Sequence, residues 1–325
     1  MTGGLEVVAP ELLLLPAFAL AAGVDLYLTL LFLGVAPALG WWPELPGALG
    51  DLGSAGVLII VGSFYVAEFL AERAATPALI WNAFHAIIRP LSGGLVAMLL
   101  LDGQPAGVLL GGAAVAGLLA AGAHATATGN STLLWLGGRI GPNPLLVSVL
   151  EDVAVVGLVV LALDHPIASL VVSATLLVVT LRAAPTRVRA FIFAVQMALG
   201  RAWRAVGRAR WRDPSEFPGW VSDALADHVV GGGLRGSPAA AMRLPSAPRF
   251  TTGWVVVRGD TPAFLYARGR RSVDLGRYRA SGVTESGFYH RVDLTAGDGQ
   301  AFLFFGVDGP SRESLRAEFL GSSIP

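Results

Sequence analysis

Six apolar stretches follow one another in the first part of this chain, at 11–36, 52–70, 78–101, 105–127, 144–163 and 166–182. A transmembrane helix needs about 20 mainly apolar residues. The connections are short, so the stretches read as a helical bundle in a bilayer, where every backbone polar group must be satisfied within the protein. Of 325 residues, 54% are hydrophobic and 14% charged, and most charges fall after Leu181. That shift marks a boundary. The formal net charge of zero therefore averages a charge-poor half with an arginine-rich one, and says nothing about partners.

The N-terminus has no basic segment before its first apolar run, so a retained helix is expected rather than a cleaved signal. Loops at 37–51, 102–104 and 164–165 contain no arginine, whereas the alternate set carries Arg73, Arg139 and the run after Leu181. The positive-inside rule then gives six crossings in a cytoplasmic (inner) membrane, with both ends of the chain in the cytoplasm. Trp41 and Trp42 fall at the outer interface. Several helices are expected to be broken, because Pro16, Gly23 and Asp25 interrupt the first stretch and Pro90 with Ser92-Gly93-Gly94 the third. The 78–101 span reads as one kinked helix or as a re-entrant hairpin. A short internal echo relates Ala22-Gly23-Val24-Asp25 to Ala121-Gly122-Ala123-His124, in apolar sequence simple enough for chance to produce it.

From these patterns we expect four parts: a transmembrane helical domain at 1–182, a basic amphipathic interfacial helix at 183–212, a flexible linker at 213–248 and a cytoplasmic β-rich domain at 249–325. Eight arginines lie between Arg182 and Arg212, with no acid before Asp213. Beside a membrane, such a segment is expected to lie on anionic lipid, through Arg201, Arg204, Arg208 and Arg210, rather than on nucleic acid. From Phe250 the period changes to short runs rich in Val, Phe, Tyr and Leu, which read as antiparallel strands forming a small barrel or sandwich. Ser311 is expected to cap a closing helix.

Ionisable groups at membrane depth are costly and mark either a functional site or a paired network. Asp25, with Thr29 a turn away, is a proton or cation site or else a hydrogen-bonded carboxylate. Glu68 and Glu72 share a helix face, with Glu68 deeper and Glu72 and Arg73 suited to the interface. Asn82, His85 and Arg89 recur at three and four residues and share another face. Arg89 cannot lose its proton and needs a carboxylate, a phosphate or carbonyls around it; Glu68, Asp25, Glu151 and Asp152 are the candidates. Glu151 and Asp152 are adjacent and point about 100° apart, so one faces the polar centre and the other a neighbouring helix. His124, Thr126, Thr128, Asn130, Arg139 and Asn143 complete the polar set. With no cysteine in the chain, disulfides, thiolate metal sites and cysteine nucleophiles are excluded. No P-loop, G-x-S-x-G, H-E-x-x-H or dinucleotide-binding glycine motif is present, and no cofactor is expected. His85 has no second ligand at metal-binding spacing, so any metal is left unassigned.

The segments AAGVDLYLTLLFLG, VAEFLAERAATPALIWNAFHAIIRPLSGGLVA, AGAHATATGN and PLLVSVLEDVAV together resemble a bacterial integral-membrane family, domain of unknown function 4126. The resemblance rests on Glu68, Trp81, His85, Arg89, Pro90, Glu151 and Asp152, and runs from about Ala21 to Leu181. Asp25 stands where the family pattern suggests Asn, and Thr126 and Thr128 replace its basic residues. The strands closed by one helix resemble, in architecture, a pleckstrin-homology-like barrel. The expected fold is thus a membrane all-α bundle of about six helices followed by a β-domain with a C-terminal helix. The expected function is a transporter or channel for a small ion or solute, with a shared inward-opening site formed by Asp25, Glu68, Asn82, His85, Arg89, His124, Glu151 and Asp152. A non-catalytic scaffold or sensor, whose β-domain binds lipid headgroups or a protein, is the alternative. A membrane-embedded enzyme acting on a lipid or isoprenoid phosphate ranks third, and a homo-oligomer is compatible with all three.

Overall fold

The computed structural model describes residues 10–71, 75–137, 144–204, 210–225, 233–245, 247–259, 261–267, 270–296 and 299–321. Glu72, Arg73, Arg139, Asn143 and Arg208 lie outside this set, as do the side chains of Arg201 and Arg204. The chain divides into two compact units, Met1–Phe191 and Ile192–Pro325.

The first unit is helical: α1 (Glu11–Val24), α2 (Leu26–Val35), α3 (Ala55–Ala71), α4 (Ala75–Leu100), α5 (Ala106–Gly137), α6 (Pro144–Asp164) and the start of α7 (Pro166–Arg204). Four of these, α4 to α7, are long and apolar enough to cross a membrane, while α1, α2 and α3 are shorter apolar helices. α1 lies against α4, α5 and α6, and Ala17, Phe18, Ala19, Ala21 and Ala22 on it are all buried. A helix that is apolar all round belongs at the centre of a bundle. Elsewhere large side chains such as Ile59, Ile87, Leu118 and Val171 point outward, which suits a lipid solvent and not water. At one end of the bundle the loop after α2 is pinned by Ala48, whose N–H donates to the Leu99 carbonyl at 2.7 Å. Trp42 also holds it, through an indole N–H donated to Asp164 Oδ1 at 2.9 Å.

The structure decides one reading that the sequence left open and departs from expectation at two places in the helices. The 78–101 stretch is one unbroken helix, because Gly93 is needed for packing and not for a turn. A Cβ there would sit 2.5 Å from the Ala120 Cβ and 3.0 Å from the Ala116 carbonyl oxygen, so the missing side chain lets α4 and α5 come together. α5 continues ten residues beyond 127, to Gly137. α7 runs through Leu181 and Pro185 to Arg204 without a break, so the basic segment begins as a continuation of a crossing helix. The internal echo also fails, since Asp25 sits at a break between helices and His124 lies inside α5.

The second unit holds the end of α7, a short helix α8 (Gly219–Ala224), seven strands and α9 (Arg312–Leu320). The strands are β1 (Arg235–Met242), β2 (Phe250–Arg258), β3 (Thr261–Tyr266), β4 (Arg271–Asp274), β5 (Arg279–Glu285), β6 (Tyr289–Ala296) and β7 (Gly299–Gly306). They form one antiparallel sheet in the order β4-β3-β2-β1-β7-β6-β5. Val255, Phe264, Val292, Leu303 and Phe305 fill its core together with Leu315 of α9. The Ser311 side chain accepts from the Ser314 N–H at 3.2 Å, capping α9 as its sequence position suggests.

β1 falls within the stretch expected to be a linker. Its RGSPAAAM sequence has none of the branched or aromatic residues that favour strands, and it is held by its place in the middle of the sheet, where the small side chains of Ala239, Ala240 and Ala241 are buried. Pro238 is tolerated because β7 pairs with β1 only from Ala239 onward, leaving Pro238 with a strand on one side, as in an edge.

Candidate functional site

The polar residues of the helical unit gather around the break between α1 and α2. Asp25 takes an extended conformation, φ −137° and ψ 101°, which ends α1 and starts α2. A helix end leaves carbonyls without partners and a helix start leaves amides without partners. Here each set is met by a side chain of matching charge. Arg89 Nη1 donates to the Gly23 carbonyl at 2.7 Å and to the Val24 carbonyl. Asp25 Oδ1 accepts from the Leu28 N–H at 2.9 Å, and the Thr29 hydroxyl donates to the Asp25 carbonyl at 2.6 Å. A cation at the carbonyl end and a carboxylate at the amide end both agree with the helix dipoles. Asp25 is thus a helix cap at a break, one of the three positions at which the sequence suggested an interruption of the first stretch.

Arg89 Nη2 pairs with the Glu68 carboxylate, and the two side chains are only 3% and 4% exposed. Glu68 Oε1 also accepts from the Trp81 indole at 3.2 Å. Arg89 Nε and Glu68 Oε2 are buried without a hydrogen-bond partner among the described residues. His85 stacks on Trp81 with ring centroids 4.5 Å apart. Its Nδ1 lies 2.8 Å from the Trp81 carbonyl, which can only accept, so Nδ1 carries the proton and Nε2 accepts from the Tyr27 hydroxyl at 2.7 Å. With both ring nitrogens engaged, His85 has no lone pair left for a metal. Among the described residues no group of three His, Cys, Asp or Glu side chains is placed to hold one.

His124 is buried and links α5 to α4, its Nε2 donating to the Asn82 backbone carbonyl at 3.1 Å while Nδ1 lies 3.4 Å from the Thr128 hydroxyl. The contribution of Asn82 is therefore its carbonyl. Asp152 accepts from the Tyr65 hydroxyl at 3.3 Å.

Glu151 faces elsewhere. It lines a cavity of about 290 Å³ with Thr126, Asn130, Thr180 and Arg187, beside Leu20, Ala21 and Val24 of α1. The sequence expectation of one site shared by all eight residues is corrected here. Glu68, Arg89, His85 and Asp25 close onto protein partners, while the next helix face of α6 opens on a space. Thr180 and Arg187 were missed, because Arg187 was read as part of a surface helix. Their seven-residue spacing, two turns of one helix face, is the signal that could have placed them together. α5 and α7 meet tightly at this end, where a Cβ on Gly129 would lie 2.0 Å from the Arg187 carbonyl oxygen.

A broken central helix held by buried ion and hydrogen-bond contacts, in a bundle with an apolar exterior, defines a helical membrane protein. Residues 12–186 match the family described as Domain of unknown function (DUF4126), and the chain belongs to that family. The match takes in every residue of the Glu68–Arg89 cluster and stops before the sheet. No curated protein matches the chain.

Proposed function

We propose that the helical unit is a transporter or channel for a small ion or solute, and that its binding site is the cavity lined by Glu151 and Arg187. In this reading α1 and α2 make one broken crossing, and α3, with 17 residues, is just long enough for another. That gives six, with the arginine-bearing loops in the cytoplasm. The observation that carries the proposal is the cavity itself, polar on one side and placed directly against a discontinuous helix. Discontinuous helices at membrane depth are tolerated where they are buried in protein or line a cavity, and transporters place substrate beside them. The Glu68–Arg89 pair is then the fixed frame, and Glu151, Asn130 and Arg187 meet the solute.

The test is flux into proteoliposomes of rubidium, chloride and a set of labelled amino acids. Wild-type protein should carry at least one of them, and Glu151→Gln and Arg187→Ala should lose that flux while still inserting normally. Equal flux through wild type and both variants would sink the proposal.

The sheet favours a second reading, a sensor whose β-domain docks on anionic lipid headgroups. The register brings the β1–β2 turn, the β3–β4 turn and the start of β5 to one end of the sheet, since Met242 pairs with Phe250, Gly253 with Tyr266 and Arg279 with Thr295. Arg243, Arg249, Arg270, Arg271 and Arg279 are exposed there. Such a cluster supports docking on phosphate-bearing lipid, in keeping with a pleckstrin-homology-like domain. Hydrogen exchange on the full chain with soluble phosphatidylglycerol should protect peptides covering Arg249 and Arg271, and phosphatidylcholine should not.

A further inference from the structure

The cavity has a direction. α5, α6 and α7 are consecutive helices joined by short connections, so the end of α5, the start of α6 and the later turns of α7 lie on one side of the bundle. On that side the lining residues are Asn130, Glu151 and Arg187. About two or three turns away, or roughly 10–16 Å at 1.5 Å per residue, the same three helices contribute Ala123, Leu158 and Leu176. The space therefore grades from charged to apolar along its length. At about 290 Å³ it is at the small end of the roughly 300–1,000 Å³ typical of ligand sites.

The charged end offers both hydrogen-bond signs. Arg187 can only donate. The Thr126 proton is committed to the Gly122 carbonyl at 2.8 Å, which leaves its oxygen as an acceptor towards the cavity. Asn130 offers one group of each kind. Glu151 has a further interaction of its own, and a carboxylate has acceptor sites for more than one donor. A purely anionic head would meet Glu151 and the Thr126 lone pairs, and a purely cationic head would meet Arg187. A head that carries both charges satisfies all of them.

We propose that this cavity binds a small zwitterion with an apolar body, of the size and kind of an aliphatic amino acid, with its ammonium towards Glu151 and Thr126, its carboxylate towards Arg187 and its body between Ala123 and Leu158. This rests on the cavity being the solute site, and it adds the class of solute.

Four probes separate the contributions, measured by calorimetry on the full chain in nanodiscs. L-leucine has head and body, glycine has the head alone, isovalerate has the body with only an anion, and isoamylamine has the body with only a cation. Leucine should bind at least about tenfold more tightly than each of the others, a difference of about 1.4 kcal/mol. Arg187→Ala and Glu151→Gln should remove the leucine preference, and Arg187→Lys should restore part of it. Leu158→Phe, which fills the apolar end, should weaken leucine and leave glycine unchanged. Isovalerate or isoamylamine binding as tightly as leucine overturns the proposal, and so does leucine binding that ignores both charge variants or an absence of binding by all four. Leucine that binds but is not carried by proteoliposomes removes transport and keeps the ligand class. Flux of rubidium or chloride without leucine binding does the reverse.

Discussion

The Glu68–Arg89 cluster and the Glu151–Arg187 cavity belong to the same helical unit and draw on the same residue types, yet they differ in what surrounds the charges. Around Arg89 the acceptors are supplied by the protein: the Glu68 carboxylate and the carbonyls of Gly23 and Val24. Around Arg187 there is a space of about 290 Å³. An arginine buried among its own acceptors holds helices in place. One that borders a cavity has donors to offer a guest. The difference teaches that a charge within a membrane segment marks cost, and that its surroundings decide whether the cost serves structure or binding.

The most direct way to break this comparison is to remove each arginine in turn. Arg89→Ala leaves the Glu68 carboxylate buried and unpaired and strips two carbonyls at the end of α1 of their donor. Breaking a buried pair by removing one partner costs about 3–5 kcal/mol, so thermal unfolding in nanodiscs should move sharply downward. Arg187→Ala should change unfolding by less than about 1 kcal/mol, as for a substitution outside the packed core, and act on flux instead. Equal destabilisation by the two variants would erase the distinction.

A smaller effect sharpens it. Gly129→Val places a side chain where the Arg187 carbonyl oxygen now lies, 2.0 Å from the first added carbon, and must push α7 away from α5. Overpacking of this kind costs about 1–3 kcal/mol. Solute binding should fall with it, because Asn130 and Arg187 separate. Unchanged unfolding and binding would show that α5 and α7 are not held together there.

The smallest effect concerns a third arginine, Arg210, which is exposed and pairs with Asp213 at 3.4 Å and Glu216 at 2.9 Å. The Arg210 hydrogen bond, with that of the Asp213 N–H, holds the Glu216 carboxyl below its ordinary value of 4.5. A carboxyl lowered by folding stabilises the folded turn fully above its unfolded pKa, and that contribution is lost as the pH falls through the folded value. The protection of amides across residues 213–217, taken relative to the intrinsic exchange rate at each pH, should therefore be flat above about pH 4.5 and fall in acid, and Arg210→Ala should move the fall to higher pH. A midpoint that ignores the substitution would show that the pairing contributes nothing in solution.

Much of the helical unit was legible because apolar length and the expense of buried charge are local properties of a sequence. Glu68 was readable as the deeper of two acids, and Arg89 as a group that must find acceptors. Which acceptors it finds depends on helix packing: 21 residues separate it from Glu68 and 66 from Gly23. An interruption of the first stretch was legible at Asp25, but its geometry was not, since GVDLY contains no proline and an extended residue there is stable only once Arg89 takes the freed carbonyls. β1 was hidden for a related reason. RGSPAAAM has the composition of a link and becomes a strand because β2 and β7 supply its partners.

The sequence by itself determined that this chain forms a helical membrane unit of the family described as Domain of unknown function (DUF4126) joined to a β-sheet unit, since hydrophobic period and charge cost act within each segment. Tertiary structure alone decided which polar groups neutralise one another and which are left facing a space. Adjacent residues on α6 show why. Glu151 and Asp152 are one step apart in the chain, but the turn of the helix points one into the cavity and the other towards Tyr65, and only the neighbouring helices give those two directions different meanings.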